Sequence, residues 1–324
     1  MKVSVIIPTC NRPQRLLRAI QSLQEQEWQD LEILVVDNAA SPSIKRLIEN
    51  LDQHNKIPVH YVAEPLLGLH NARHAGARVA LSEILVFTDD DATFASGWIR
   101  AYVESFSEHP EMAAAGGPVR PQWECSPPEW LLEFIGDAGL FPLLSLMEQN
   151  EIFRMDRNGF FFGVNMAIRR RVLFEVGGFN PEAFGKTWLG DGETGLCSKL
   201  SEKGELIGYV PDALVYHHIP PERMTSEYFC HRMANEGSSL EYTYFHKKIY
   251  GTHQVLIRMV YILLHFGGTL GISVLKTFKR DRLGRLRIRM CLHHHFYRIR
   301  YVARLSHDKS LRELVLKDDW LRTL

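Results

Sequence analysis

Ile84-Leu85-Val86-Phe87-Thr88-Asp89-Asp90-Asp91-Ala92 decides how this chain is read. An apolar run of this length, bounded by a polar cluster, predicts a buried strand. Three carboxylates at its mouth repel one another unless a cation or water screens them. Hard divalent ions take oxygen ligands, and Mg²⁺ or Mn²⁺ commonly joins one or two carboxylates to a bound phosphate group. The alternative for these acids is a solvated turn, so the surrounding segments have to decide.

Upstream, Val3-Ser4-Val5-Ile6-Ile7-Pro8-Thr9 predicts a second buried strand. It runs into Cys10-Asn11-Arg12-Pro13, where Thr9 or Asn11 suits a helix cap and Pro13 the first turn. Leu16, Ile20 and Leu23 then fall on one helical face. Glu32-Ile33-Leu34-Val35-Val36-Asp37-Asn38 predicts a third strand, ending in a carboxylate and an amide. Strand, helix, strand in this rhythm means right-handed crossovers and a mainly parallel sheet, an α/β fold. Ligands of such sheets bind beyond the carboxyl ends of the strands. Pro8-Thr9, Asp37-Asn38 and Asp89-Asp90-Asp91 therefore share one crevice in this reading.

Five blocks extend the pattern in order: VSVIIPTCNR, EILVVDNAA, GLHNARHAGARVALSEILVFTDDDA, FFGVNMAIRRRVLFEVGGFN and WLGDGETGLCSKL. Together they resemble the family 2 inverting glycosyltransferases, whose GT-A fold joins a nucleotide-binding sheet to an acceptor-binding half. The resemblance covers residues 1–220 and rests on five ordered blocks rather than one motif. It implies a donor half over about 1–118 and an acceptor half over about 119–220, leaving 221–324 as a helical, basic C-terminal region.

By that resemblance Pro8, Thr9 and Arg12 line the nucleotide pocket, and Asp37 receives the base or ribose. A carboxylate suits this role because it accepts hydrogen bonds from uracil N–H or ribose hydroxyls; the local alternative is an Asx turn with Asn38. Arg73 matches the family's basic residue near the diphosphate, and the alternative is an ordinary exposed helical arginine. Asp89 and Asp91 are the outer members of a D-x-D motif. Asp91 would bind Mn²⁺ or Mg²⁺ most directly, Asp89 would contact ribose or a metal-bound water, and Asp90 would buttress them. The ion would neutralise charge on the departing nucleoside diphosphate.

Inverting transfer is one displacement at the anomeric carbon, so a carboxylate must deprotonate the acceptor hydroxyl from the opposite face. The candidate lies in Leu189-Gly190-Asp191-Gly192-Glu193-Thr194-Gly195-Leu196. Many family members show a Glu-Asp pair here, and this chain departs from that pattern. Aligning on Leu196 puts Glu193 at the base position, near a helix N-terminus that favours its ionised form. Aligning on the glycines favours Asp191, for which a helix cap is the alternative. The family often carries a histidine after a Val-Tyr such as Val215-Tyr216; His217 fits as metal ligand or phosphate contact, with His218 in reserve. Phe160–Asn165 reads as a core strand that positions Asn165 near the acceptor.

Lysines and arginines equal acids at 38 each, which argues against a generic nucleic-acid binder. The distribution is uneven: ten basic residues fall between Lys276 and Arg304, with Asp281 the one acid among them. Before them, residues 255–275 approach the roughly 20 apolar residues needed to span a bilayer. Arg258, His265 and Gly267-Gly268 weaken that reading. A single span would also leave the basic tail outside, against the positive-inside tendency. Peripheral attachment to anionic headgroups removes the conflict; a buried helix beside an exposed basic one is the alternative. His293-His294-His295 belongs to the basic face in this reading. Five scattered cysteines suggest a reducing compartment, and a core strand starting at Val3 argues against a signal peptide. The expectation is a metal-dependent inverting transferase at the inner face of the membrane. Its donor is a nucleotide-sugar, UDP-sugar first, and its acceptor a glycan or lipid-linked saccharide. Transfer to a polyprenyl phosphate and a non-catalytic carbohydrate- or nucleotide-binding partner are the alternatives.

Overall fold

The computed structural model describes residues 1–51, 56–138, 141–148, 152–184, 187–248, 250–276 and 282–322. Lys279, Arg280 and Asp281 of the basic block lie outside the described residues.

The chain begins with β1 (Val3–Thr9), α1 (Pro13–Gln24), β2 (Leu31–Asp37), α2 (Pro42–Leu51), β3 (Val59–Ala63), α3 (Leu69–Val79) and β4 (Ile84–Phe87). It continues through β5 (Ala92–Phe94), α4 (Trp98–Glu108), β6 (Met112–Gly116), β7 (Val119–Trp123), α5 (Glu129–Ala138), β8 (Arg154–Asp156), β9 (Met166–Arg169) and α6 (Arg170–Glu175). A short hairpin, β10 (Ala183–Phe184) and β11 (Thr187–Trp188), precedes α7 (Gly192–Glu202), β12 (Leu206–Tyr209) and β13 (Val215–Ile219). Helices α8 (Ser226–Phe245), α9 (Thr252–Lys276), α10 (Arg282–His307) and α11 (Lys309–Leu316) follow.

Eight strands form one sheet in the order β3-β2-β1-β4-β9-β6-β12-β8. The first four run parallel, joined through α1, α2 and α3, while β9 inserts antiparallel between β4 and β6. Val3, Val5 and Ile7 enter one core with Leu16, Ile20 and Leu23 of α1. Ile6, Leu34 and Val36 enter the core on the other face, with Ala72 and Ala75 of α3. Burial on both faces explains why these strands read as unbroken apolar runs. Each such side chain stabilises the sheet by about 1.5–3 kcal/mol.

Two local expectations are corrected. Arg12, not Thr9 or Asn11, occupies the N-cap position of α1, without a side-chain cap bond. The Thr9 hydroxyl is consumed elsewhere, donating to Asp90 Oδ2 at 2.7 Å. Phe160–Asn165 is not a strand; β9 starts at Met166. Asn165 is fully buried. Its amide donates to the carbonyls of Pro118 (3.0 Å) and Ala213 (2.7 Å). Its oxygen accepts from Trp98 Nε1 (2.8 Å) and the Tyr102 hydroxyl (2.6 Å). Four bonds saturate it, so Asn165 is a cross-link in the core and faces no acceptor.

A smaller sheet, β5-β13-β7, stands at the carboxyl end of β4. Its antiparallel register sets His217 opposite Ala92, and the His218 N–H donates to the Asp91 carbonyl at 2.8 Å. That pairing carries His217 to the acidic cluster.

The C-terminal helices have their own core. α9 exposes Leu256, Ile257, Val260, Leu263 and Leu264, the last at 73%. Arg258 and Thr269 of the same helix make bonds inward instead. Arg258 Nε and Arg298 Nε each donate to the buried Glu241 carboxylate at 2.7 Å. Thr269 meets His295 at 3.0 Å. Arg298 and His295 are therefore buried, and do not belong to the exposed basic face expected for them.

Candidate active site

The ends of β1, β2 and β4 line up as predicted, and each carries polar side chains. Asp37 is buried, and its carboxylate accepts from the Ala39 N–H (3.1 Å), the Ser41 N–H (2.6 Å) and the Tyr61 hydroxyl (3.1 Å). An Asx-type turn thus occupies most of its accepting capacity. Pro8 and Thr9 are the last residues of β1, and Arg12 Nη1 reaches Asp90 Oδ1 at 3.3 Å.

The three acids have separate surroundings. Asp90 points back into the sheet between Thr9 and Arg12; burial and the neighbouring Asp91 push its carboxyl up to about 6. Asp91 is buried as well, but cations surround it. Arg223 Nη2 donates to its Oδ2 at 2.9 Å, and Arg12 and Arg15 stand at 3.8 Å. Burial opposes its charge, yet the cations Arg223 and Arg12 help to hold the carboxyl well below the usual range. Asp89 is half-exposed to the cavity and accepts from Arg73 Nη2 at 2.9 Å.

Arg73 is fully buried rather than an exposed helical arginine. One guanidinium nitrogen bonds Asp89 and the other bonds Glu193 Oε1, so a single side chain joins the β4 acids to α7. Gly163 lies directly on this pair; a Cβ there would collide with both partners. Burial opposes the charge on Glu193, but Arg73 and His70 hold its carboxyl well below the ordinary value. Asp191 occupies the N-cap position of α7, but its carboxylate bonds Asn180 Nδ2 (3.1 Å) and the Thr243 hydroxyl (2.6 Å). Burial raises its pKa.

The His217 ring is fixed by its bonds. Leu144 offers a carbonyl to Nδ1 at 3.0 Å, so that nitrogen carries the proton. Nε2 then carries the lone pair, which Arg223 Nη1 meets at 2.7 Å. Nε2 lies 3.4 Å from Asp91 Oδ1. Neighbouring ligands of an octahedral ion with bonds near 2.1 Å are about 3 Å apart. Two acceptors at this separation, one imidazole and one carboxylate, fit Mn²⁺ or Mg²⁺. Among the described residues no group of three or more His, Cys, Asp or Glu converges on one point. The remaining positions of an ion would fall to water or a ligand, as is usual for Mg²⁺. His218 is turned away, toward Thr93.

Asp89, Asp191, Glu193, His217 and Arg223 all line one cavity of about 1030 Å³. A matching family model covers residues 4–177, under the description glycosyl transferase family 2. The chain belongs to glycosyl transferase family 2. It is accordingly a glycosyltransferase, and membership sets aside the non-catalytic alternative. A relative, the glucosyl-dolichyl phosphate glucuronosyltransferase of Haloferax volcanii, is 26% identical over 244 residues, 74% of this chain and 76% of that one. Succinoglycan biosynthesis protein ExoM of Rhizobium meliloti is 25% identical over 241 residues, 74% of each chain. A mannosyltransferase of Pyrobaculum calidifontis, solved with GDP-Man and Mn²⁺, superposes with a TM-score of 0.59 at 17% identity, covering 95% of this chain and 87% of that one. At that identity the likeness shows the fold, which is of GT-A type.

Several family 2 cavity residues escaped the sequence reading: Glu182, Arg223, Tyr228, Arg232 and Glu236. Tyr228, Arg232 and Glu236 recur every fourth residue on α8, a polar stripe that helical periodicity marks. Arg223 and Glu182 carry no such signal, because a one-turn helix delivers the first and a loop the second.

Proposed function

We propose that the chain transfers a sugar, with inversion, from a nucleoside diphosphate donor to a hydroxyl of a lipid-linked saccharide or growing glycan. UDP-sugars are the first donors to test. One observation carries this reading: the acids after β4, His217 of β13 and Glu193 of α7, remote in sequence, meet around one cavity. Pro8, Thr9, Arg12 and Asp37 flank the nucleotide, with Asp90 as buttress. Asp91 and His217 hold the divalent ion, which when bound neutralises charge on the leaving diphosphate. Asp89 meets ribose or a metal-bound water, and Arg73 sits at the diphosphate side. Glu193 takes the acceptor proton, while Asp191 holds the start of α7 to α8.

The acceptor class draws on the relatives, one of them named for glucosyl-dolichyl phosphate. The membrane is supported by α9, a helix long and apolar enough to cross one and largely exposed. Its outer face carries Leu256, Ile257, Val260, Leu263 and Leu264, while Arg258 bonds inward to Glu241, an arrangement unlike that of a helix on a soluble core. We place the enzyme peripherally at the cytoplasmic face, with residues 1–118 as donor half, 119–220 as acceptor half and 221–324 adding the membrane contact.

Glu193→Gln tests the mechanism. Donor affinity should persist while transfer falls by orders of magnitude, since the base acts only in the chemical step. A second reading has one observation in its favour: the Arg73 ion pair leaves Glu193 a weak base. A polyprenyl phosphate acceptor needs no base. In that case Glu193→Gln keeps full activity while Asp91 remains essential.

A further inference from the structure

Under the function proposed above, Asp91 and His217 offer their lone pairs to a divalent ion. Arg223 already holds both. Its Nη2 donates to Asp91 Oδ2 at 2.9 Å and its Nη1 to His217 Nε2 at 2.7 Å. The Nε2 lone pair cannot serve a guanidinium hydrogen and a metal ion at once; on Asp91 the guanidinium takes Oδ2, while Oδ1 faces Nε2. We propose that Arg223 is a built-in stand-in for the ion: it holds the two ligands in the free protein, yields them to the metal, and then meets the donor diphosphate. The inference rests on the donor-site reading above.

Three features single out this arginine. The planar guanidinium fork spans two acceptors at fixed spacing, which a lysine cannot do. Without it, a side chain only 2% exposed would carry its charge beside a facing imidazole lone pair, with Arg12 and Arg15 no nearer than 3.8 Å. The partners also differ in freedom. Asp91 and His217 are buried and held at the β5–β13 pairing. Arg223 comes from a one-turn helix, Pro221–Met224, outside both sheets, and its side chain is 24% exposed along the cavity wall. It can therefore leave while they stay.

Displacement keeps its charge in the cavity. An ion brings two positive charges to ligands that carry one negative charge, so Arg223 is repelled from its seat. The nearest incoming acceptors are those of the diphosphate, which the fork engages bidentately. Arg223 is a positioning residue in the free protein and a donor contact in the loaded one.

The test measures two affinities expected to move in opposite directions. Free Mn²⁺ is followed by its paramagnetic resonance signal as it binds the nucleotide-free full chain, in wild type, Arg223→Ala and Arg223→Lys. Removing the competitor in Arg223→Ala should tighten Mn²⁺ about fivefold or more, the scale of one partly buried charged pair. At saturating Mn²⁺, calorimetric binding of UDP or GDP to that variant should weaken by a similar factor. Arg223→Lys, which keeps the charge and loses the fork, should lie between the two on both scales. A merely structural arginine would lower both affinities together; that result, or unchanged Mn²⁺ affinity in Arg223→Ala, overturns the proposal. If wild type binds neither nucleotide with Mn²⁺, the donor-site reading itself falls and takes this inference with it. If wild type binds and neither variant moves either constant, Arg223 alone is refuted.

Discussion

Replacing Glu241 with leucine should destabilise the protein by about 3–5 kcal/mol, the cost of leaving buried partner charges uncompensated. Glu241 is fully buried on α8 and accepts three bonds: Arg258 Nε at 2.7 Å, Arg258 Nη2 at 3.1 Å and Arg298 Nε at 2.7 Å. Charge-assisted bonds contribute roughly 1.5–3 kcal/mol each, so three of them bound the loss from above. Losing the carboxylate removes its own desolvation cost but strands two guanidiniums, one of them 1% exposed. Arg258 keeps a residual partner, since its guanidinium lies 3.8 Å from the Tyr244 ring centre. A cation–π contact returns on the order of 1–2 kcal/mol, which argues for the lower half of the range. Urea unfolding followed by circular dichroism measures the loss directly. Glu241→Leu combined with Arg258→Met and Arg298→Met should recover most of it, because a packed apolar trio replaces the buried ions. A midpoint shift in Glu241→Leu worth less than about 1 kcal/mol, at unchanged slope, would refute the counter-ion role.

Asp91→Ala should abolish the Mn²⁺ dependence of nucleotide binding; calorimetry showing the same affinity with and without Mn²⁺ in both proteins would sink the metal assignment. Asn165→Leu should cost about 3 kcal/mol by removing four buried hydrogen bonds, read from urea midpoints, and a neutral substitution would show that the two sheets do not depend on it. Burial, reinforced by His70 and Arg78, keeps His74 neutral well below the ordinary histidine range, with Nε2 accepting from the Phe179 N–H at 2.9 Å. The unfolded chain binds a proton near pH 6.5 that the native state refuses, so this stability is present above pH 6.5 and is lost as pH falls, by up to about 1.4 kcal/mol per unit. His74→Gln should flatten the stability profile between pH 6.5 and 5; an unchanged slope would place the proton elsewhere. Val260→Glu with Leu264→Glu, on the outer face of α9, should reduce flotation with anionic vesicles several-fold and leave nucleotide affinity intact. Flotation equal to wild type would remove α9 from the membrane contact.

The parallel sheet was legible because burial on both faces leaves continuous apolar runs, and polar residues mark where each run stops. Glu193 and His217 were legible only through block order; nothing in local spacing announces that Arg73 will join Glu193 to Asp89 across 120 residues. The same limit misled the cap of α1. Thr9 looks like a capping residue until Asp90, 81 residues away, claims its hydroxyl. In 255–275 composition misled where direction would have helped. Arg258 and His265 counted against a lipid-facing helix, yet Arg258, Ile262, His265 and Thr269 recur every three to four residues and form one stripe. That stripe borders α8 and α10: Ile262 is fully buried, Arg258 bonds Glu241, Thr269 bonds His295, and His265, though exposed, reaches Arg298 at 3.2 Å. Missing from the sequence was the partner, Glu241, and its position on α8 has a consequence. Glu241 follows Arg232 by nine residues, about two and a half turns, so the two occupy opposite faces. One face of α8 lines the cavity through Tyr228, Arg232 and Glu236; the other grips α9 and α10 through Glu241. The cavity wall and the helix proposed to meet the membrane are thus held by two sides of one element, which ties the shape of the cavity to the placement of α9.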